Sequence, residues 1–296
     1  MNVINVPSSL DDQTFEHVLD QLAPLPADAR ILIDARKTEW ASPYGLTALL
    51  TLAQTRLEKP QFMPPEKDDT SSYWNRANFF RYAEDLYEIM GSVPARRGER
   101  ESGTLLEVTP VSRSDDVHKV VERIKDKAAN IITNNLHLES RAVMGFAMAL
   151  SEACQNIVEH AGRGGWVAVQ NYNYRKRMGR HVVQIAVCDA GVGIRQSLES
   201  GNRRPITDRW DDGVALESAV IQGTSRFPDH GRGQGFKGIR GYLRKWKGKL
   251  AVRSGTARIA DVPPWDDDVV RRDHLSPMPG TQLFIMIPED VERGSS

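Results

Sequence analysis

The chain holds only two cysteines, Cys154 and Cys188, no apolar run long enough to cross a bilayer, and no net charge. Two cysteines cannot build a disulfide framework or a zinc cage. Each lies in an apolar segment, which predicts buried free thiols in a reducing compartment. The longest apolar stretch, Ala142 to Leu150, falls far short of the ~20 residues that span a membrane. The opening residues, MNVINVPSSLDD, lack the basic and apolar regions of a secretory signal. A cytoplasmic protein without a membrane partner is expected.

Neutrality arises from 39 Lys and Arg against 39 Asp and Glu in 296 residues. A zero total argues against coating nucleic acid through bulk charge. It conceals a division, however. Residues 1–92 carry 8 basic and 14 acidic residues, a net of −6, whereas residues 93–296 carry 31 and 25, a net of +6. Arg226 to Arg253 holds 9 basic residues and one acid, Asp229. Such a stretch is either a solvated helix face or a surface for phosphate, an acidic partner or nucleic acid. The acidic N-terminal part is itself a candidate partner for it, in the same chain or a second copy.

With 40% hydrophobic and 26% charged residues the composition is that of a globular protein, and the length suggests about two domains. Residues 1–92 alternate strand-like and helix-like pieces. Asp11 and Asp12 stand before a helix with apolar Phe15, Val18, Leu19 and Leu22. Ile31–Ile33 reads as a buried strand, LTALLTLAQTRLEK as an apolar helix, Gln61–Met63 as a strand, and Asp69 to Met90 as a second helix. The polar segment GSVPARRGERESG marks a linker over 93–103. A second domain over 104–290 follows. It has a strand from Thr104 to Thr109 and helices from Ser114 to Asn134 and from Glu139 to Ala161. Strands run from Trp166 to Tyr174 and Val182 to Cys188, joined by the basic turn RKRMGR. Ala190 to Gly235 is irregular with one helix, Asp212 to Gln222, and a stretch that long suggests a functional lid or disorder. A helix from Phe236 to Trp246, a strand from Lys249 to Ser254, a polar loop and a last strand from Thr281 to Ile287 complete the chain.

Four motifs carry chemistry. On the Glu139–Ala161 helix, Glu152, Asn156 and His160 share one face at i, i+4 and i+8. Alone, such a stripe more often marks a solvated face. Its functional reading is a carboxylate base one turn from an amide oxygen able to hold Mg²⁺. Asp189-Ala-Gly-Val-Gly193 follows an apolar strand. The carboxylate there can accept a hydrogen bond from an amino group such as adenine N6, and Gly191 and Gly193 permit close approach of a flat base; a plain turn is the other reading. Gly231-Arg-Gly-Gln-Gly-Phe-Lys237 opens a helix and offers backbone N–H groups to phosphates. It is neither a Walker A loop nor a Rossmann fingerprint. Gly280-Thr281 begins the last strand.

In this order, SEACQNIVEHAG resembles the N box, VCDAGVGI the first glycine box, GRGQGFKGI the second, and GTQLFI the terminal Gly-Thr strand of the GHKL ATPase superfamily. That group includes histidine kinases, gyrase- and Hsp90-type ATPases, MutL and anti-sigma-factor kinases. The resemblance covers Leu105 to Pro288. It implies a Bergerat fold, a mixed sheet with helices on one face, and ATP held beneath a mobile lid. By position, Glu152 resembles the N-box base and Asn156 the Mg²⁺ ligand. Asp189 resembles the adenine N6 acceptor, helped through water by Thr281, and Gly191 and Gly193 the turn against the base. Gly231, Gly233 and Gly235 resemble the phosphate-facing lid hinge, with Lys237 placed to reach a phosphate. His160 matches the histidine of the anti-sigma-kinase N box, with packing or a ribose-side contact as its role.

ILIDARKTEWASPYGLTALLTLAQ resembles the strand–loop–helix core of STAS domains. The serine phosphorylated in regulated members is replaced here by Tyr44, which departs from phosphoswitching, and Ser42 is the nearest substitute. The overall expectation is an α/β chain: a STAS-like α/β domain followed by a Bergerat-fold sheet and helix sandwich. The resemblances imply Mg-ATP binding and phosphorylation of Ser or Thr on a protein partner, STAS-like or sigma-factor-related. An ATP-gated switch without a protein substrate and a scaffold that merely holds ATP are the other hypotheses, and a homodimer is an open possibility. A self-contained sensor histidine kinase is disfavoured, because neither His118 nor His137 has the H-[ED]-x-x-x-P setting. A gyrase- or MutL-type enzyme is disfavoured because those usually carry a further transducer domain, whereas this sequence runs only a few residues past its last strand.

Overall fold

Two sheets and two helical layers alternate through the molecule. The computed structural model describes residues 1–95, 105–139, 141–162, 164–174, 179–201, 210–225 and 235–290, with backbone alone at 105, 125–128, 130, 141 and 160. The first sheet is parallel, in the order β1 (Asn2–Asn5), β3 (Ile31–Asp34), β5 (Gln61–Met63) and β6 (Glu88–Ile89). β2 (Ser9–Leu10) and β4 (Trp40–Ala41) pair separately. The crossovers carry α1 (Glu16–Leu22), α2 (Pro43–Gln54), α3 (Asp68–Arg76) and α4 (Phe79–Leu86).

Local chemistry explains where these elements differ from expectation. The single helix expected over Asp69 to Met90 is split, because Asn78 adopts φ 62°, a left-handed conformation that Asn tolerates better than most residues. Asp11 sets the turn into α1 by accepting the Gln13 and Thr14 N–H groups, whereas Asp12 is used in the interior. The helix read from Leu46 begins earlier, at Pro43. Ser42 caps it, its Oγ accepting the Gly45 N–H at 3.1 Å, and Pro is favoured at the first helical position.

The second sheet has seven strands in the order β12 (Arg271–Arg272), β11 (Ala257–Asp261), β10 (Lys249–Gly255), β13 (Met278–Pro288), β9 (His181–Asp189), β8 (Gly165–Asn173) and β7 (Leu105–Val111). Every pairing is antiparallel, which corrects the mixed sheet implied by the resemblance. β11 and β12 occupy what the sequence presents as a polar loop. Helices α5 (Ser114–Asn130), α6 (Arg141–Asn156), α7 (Gly193–Ser200), α8 (Asp212–Glu217) and α9 (Gly235–Lys245) pack with this sheet. α7 lies within the stretch expected to be irregular. α6 continues through a π-helical turn, Ile157–Ala161, and ends at Gly162.

Both faces of the antiparallel sheet are covered, a second correction to the one-sided sandwich. Val183, Ile185, Val187, Leu283 and Ile285 join the core beneath the α5–α9 layer. Ala186, Cys188 and Phe284 join a core shared with α1, α2 and α4. Burial on two faces is why the β9 and β13 segments are nearly continuous apolar runs. α2 lies between the two sheets and is buried all round from Pro43 to Ala53, as its uniformly apolar sequence requires. Its threonine hydroxyls bond inward: Thr47 Oγ1 to the Pro43 carbonyl at 2.9 Å and Cys188 Sγ at 3.3 Å, and Thr51 Oγ1 to the Thr47 carbonyl at 2.9 Å.

Charges cross this seam. The Arg253 guanidinium binds Glu16 in a two-pronged pair, Nε to Oε1 at 2.7 Å and Nη2 to Oε2 at 3.1 Å. Arg258 Nη2 reaches both Asp12 at 2.8 Å and Asp268 at 2.6 Å. The N-terminal acids Glu16 and Asp12 are therefore neutralised by the C-terminal sheet of the same chain. Among the described residues no helix is long and apolar enough to cross a membrane.

Candidate functional site

Asp189 ends β9 on the side facing the helices, and burial pushes its carboxyl up to about 7, opposed by the Gly191 and Thr281 N–H groups that donate to it. The Gly191 bond is 2.8 Å. A carboxylate at this depth persists because backbone donors partly replace water. Gly191 cannot carry a side chain, since a Cβ there would overlap the backbone of Ala161, at the end of the α6 extension. Gly280, at φ 81°, is equally constrained: its Cβ would fall onto the Asp189 carbonyl. Gly193 faces Gly280 and Ser254 across the gap. These contacts bring together four stretches widely spaced in sequence, at Ala161, Asp189–Gly193, Ser254 and Gly280–Thr281.

Glu152 and Asn156 lie one turn apart on α6, both half-buried. Burial raises the Glu152 carboxyl above its ordinary value; the Gly235 N–H, which donates to it, opposes this, and the nearby Glu159 charge adds to it. Gly235 opens α9, so the third motif meets the first through this bond. Each motif thus touches at least one of the others. Lys237 is exposed, its stem beside Gly223, and makes no ion pair among the described residues. Gly231, Gly233 and the His160 side chain lie outside the described residues.

The Mg²⁺ expected at Asn156 is compatible with what surrounds that residue. Its side chain makes no hydrogen bond to the described residues, leaving the amide oxygen available. No group of three or more His, Cys, Asp and Glu able to hold a metal occurs among the described residues. A single amide oxygen suits an ion that keeps several waters and shares substrate phosphates, as Mg²⁺ does.

Two residues escaped sequence reasoning. Ser254 Oγ accepts the Ile194 N–H at 3.0 Å and donates to the Gly280 carbonyl at 2.8 Å. Gln282 Nε2 donates to the Asp189 carbonyl at 3.2 Å and to the Pro279 carbonyl at 3.0 Å. Their only signal was a polar residue interrupting an apolar alternation, Leu250-x-Val252-x-Ser254 and Gln282-x-Phe284.

Tyr44 and Ser42 stand elsewhere. Tyr44 is 2% exposed and packs edge-on against Phe15 and Phe284, and Ser42 is fully buried as the α2 cap. Neither hydroxyl is open to a phosphoryl donor while α2 is seated. Both cysteines are free and buried, their thiols pushed up to about 12 by burial.

No protein-family model matches the chain, and no curated protein matches it.

Proposed function

We propose that the chain is a regulatory protein of the GHKL type that binds Mg-ATP and transfers the γ-phosphoryl group to a Ser or Thr of a protein partner. The observation that carries this reading is the convergence of the four motifs. Asp189, Gly191, Gly193 and Thr281 gather at one end of the sheet, with Glu152 and Asn156 on α6 and Gly235 at the start of α9.

In this reading the Asp189 carboxylate accepts the adenine amino group, and the glycine turns let the ring lie against backbone. Thr281 supports the base through its hydroxyl and a water. Glu152 takes the proton of the attacking hydroxyl, and its burial raises its basicity toward neutral pH, where a general base is most effective. Asn156 would hold Mg²⁺, which when bound neutralises phosphate charge. Gly235, with Gly231 and Gly233, would present N–H groups to the phosphates, and Lys237 would add a positive charge. The acceptor hydroxyl comes from another molecule, STAS-like or sigma-factor-related, because Ser42 and Tyr44 are sealed in the chain's own core.

An ATP-gated switch is the second reading. The bond from the Gly235 N–H to Glu152 favours it, since a phosphate competing for that amide would free the first turn of α9 from α6. Incubation with γ-labelled ATP and a lysate of the host separates the two. A discrete labelled protein band is expected for the kinase. Free phosphate alone supports the switch, and neither product refutes phosphoryl chemistry.

A further inference from the structure

We propose that the flank shared by α6 and α9 is the docking surface for the phosphoryl-accepting partner, which meets it with an acidic segment carrying apolar anchors; this rests on the kinase reading above and adds the partner's chemistry. A helix with one side in water ordinarily presents polar residues there. α6 instead presents Met144 and Met148, one turn apart and 71% and 47% exposed. α9 extends this apolar strip. Tyr242 and Trp246 stack with ring centroids 6.1 Å apart, and the Tyr242 hydroxyl donates to Met148 Sδ at 3.1 Å. Gly145 lets both rings lie against α6, because a Cβ there would stand 2.9 Å from Tyr242 and 3.0 Å from Trp246. A contiguous exposed apolar strip marks an interaction site, whereas singly exposed residues do not. Methionine suits such a site, since its flexible side chain adapts to irregular partners.

Charge decides what covers the strip. α6 has no acid from Arg141 to Ser151, and α9 has none at all. Of the four basic residues of α9, Arg240 and Arg244 pair with Asp261, at 2.7 and 3.6 Å. Lys237 and Lys245 stand on one row at i and i+8, with the exposed Gly241 between them. Neither lysine has a carboxylate partner among the described residues. Lys245 Nζ lies 6.0 Å from the centre of the Tyr242 ring, so positive charge borders the apolar strip directly. An acidic segment complements this rim. A second copy meeting it face to face would set like charges together.

The strip leads to the base. Met144, Met148 and Glu152 recur at i, i+4 and i+8 on α6. Glu152 therefore stands about 6 Å along the helix axis from Met148 and about 12 Å from Met144. A partner with apolar anchors on the two methionines brings a Ser or Thr only a few residues from those anchors to Glu152. Acids among the anchors meet Lys245 and Lys237.

The test uses a fluorescein-labelled helical peptide with Leu at i, i+3, i+4 and i+7 and Glu between them, titrated with the full chain by anisotropy. The wild type is compared with Met144→Gln/Met148→Gln and with Lys245→Glu, each checked by thermal melt and by calorimetry with Mg-ATP. Both variants are expected to bind the peptide about tenfold more weakly with ATP affinity unchanged. A peptide with Lys in place of Glu should bind the wild type about tenfold more weakly than the acidic one. If the methionine variant fails to fold, Lys245→Glu is read in its place. No binding of the acidic peptide by the wild type, equal affinity in a folded variant, or equal affinity for the two peptides overturns the surface. Phosphatidylserine vesicles that bind the chain more tightly than the peptide, with loss in the same variants, overturn a protein occupant in favour of a membrane. In a host lysate with γ-labelled ATP, saturating acidic peptide should abolish the labelled band, and a band that persists overturns the role in admitting the acceptor. A wild-type chain that labels nothing overturns the kinase reading and that role with it, while the peptide titration still decides whether the surface docks an acidic segment.

Discussion

Replacing Glu16 with Gln leaves the Arg253 guanidinium buried without a counter-charge. Arg253 is 1% exposed, and the carboxylate receives two of its N–H groups, at 2.7 and 3.1 Å. Breaking a buried pair from one side costs about 3–5 kcal/mol, because the surviving charge stays desolvated. The Gly255 and Ser276 carbonyls still accept from the guanidinium, and the Gln amide oxygen retains one bond, which places the cost near 3 kcal/mol. That is a large share of a typical native stability of about 5–15 kcal/mol. For a chain of this size it lowers the melting temperature by about 6–12 °C. Urea denaturation of the wild type, Glu16→Gln and the double variant Glu16→Leu/Arg253→Met measures it. The double variant should recover more than half of the loss, since an apolar pair carries no desolvated charge. Hydrogen exchange should show α2 and β9 losing protection together, because one core joins them. A loss below about 1 kcal/mol, or α2 opening while β9 stays protected, would refute the shared core and the work assigned to its ion pair.

Glu152→Gln should bind Mg-ATP with near wild-type affinity yet lose turnover by at least about a hundredfold, the usual contribution of a general base; steady-state phosphate release reads it, and surviving turnover removes Glu152 from that role. Cys154 and Cys188 should resist a thiol reagent at pH 8 until the chain unfolds, because thiols held near 12 supply almost no thiolate; rapid labelling of the native protein would contradict their burial. The Asp189 carboxyl is raised from 3.8 to about 7 in the fold. Its proton therefore favours the folded state below the unfolded value, and that contribution is lost as pH climbs through 7. Adenosine, which has no phosphate to titrate, should bind about tenfold more tightly at pH 8 than at pH 6, because its amino group needs the ionised carboxylate. The slope should vanish in Asp189→Asn, and a flat wild-type profile would contradict the amino-group contact.

What could be read in advance follows from how local each cause is. The strands β3, β5, β8 and β9 and the helix around Glu152 were legible because apolar periodicity is written in adjacent residues. The candidate site residues Glu152, Asn156, Asp189 and the glycines could be picked out because they fall in short motifs whose spacing is written in adjacent residues. Their assembly could not. The bond from Gly235 to Glu152 joins positions 83 apart, and Ser254 meets the Gly280 carbonyl at a bulge that only pairing with β13 creates. The α3–α4 break depends on one left-handed Asn, which a helical period does not report. The role of α2 was hidden for a different reason. A helix apolar on every side signals burial but not what covers it, and here the cover is the reverse face of the site's own sheet. The division of charge between the two parts of the chain anticipated the pairing of Glu16 with Arg253, although not which residues would meet.

The most direct measurement is the affinity of the full-length chain for Mg-ATP by calorimetry, wild type against Asp189→Asn. Loss of one buried, charge-assisted hydrogen bond should weaken binding by about 1–3 kcal/mol, a rise in Kd of roughly 5- to 150-fold, with the fold intact by circular dichroism. Wild-type binding that Asp189→Asn leaves unchanged, or no ATP binding by the wild type, would contradict the assignment of this cluster as a nucleotide site.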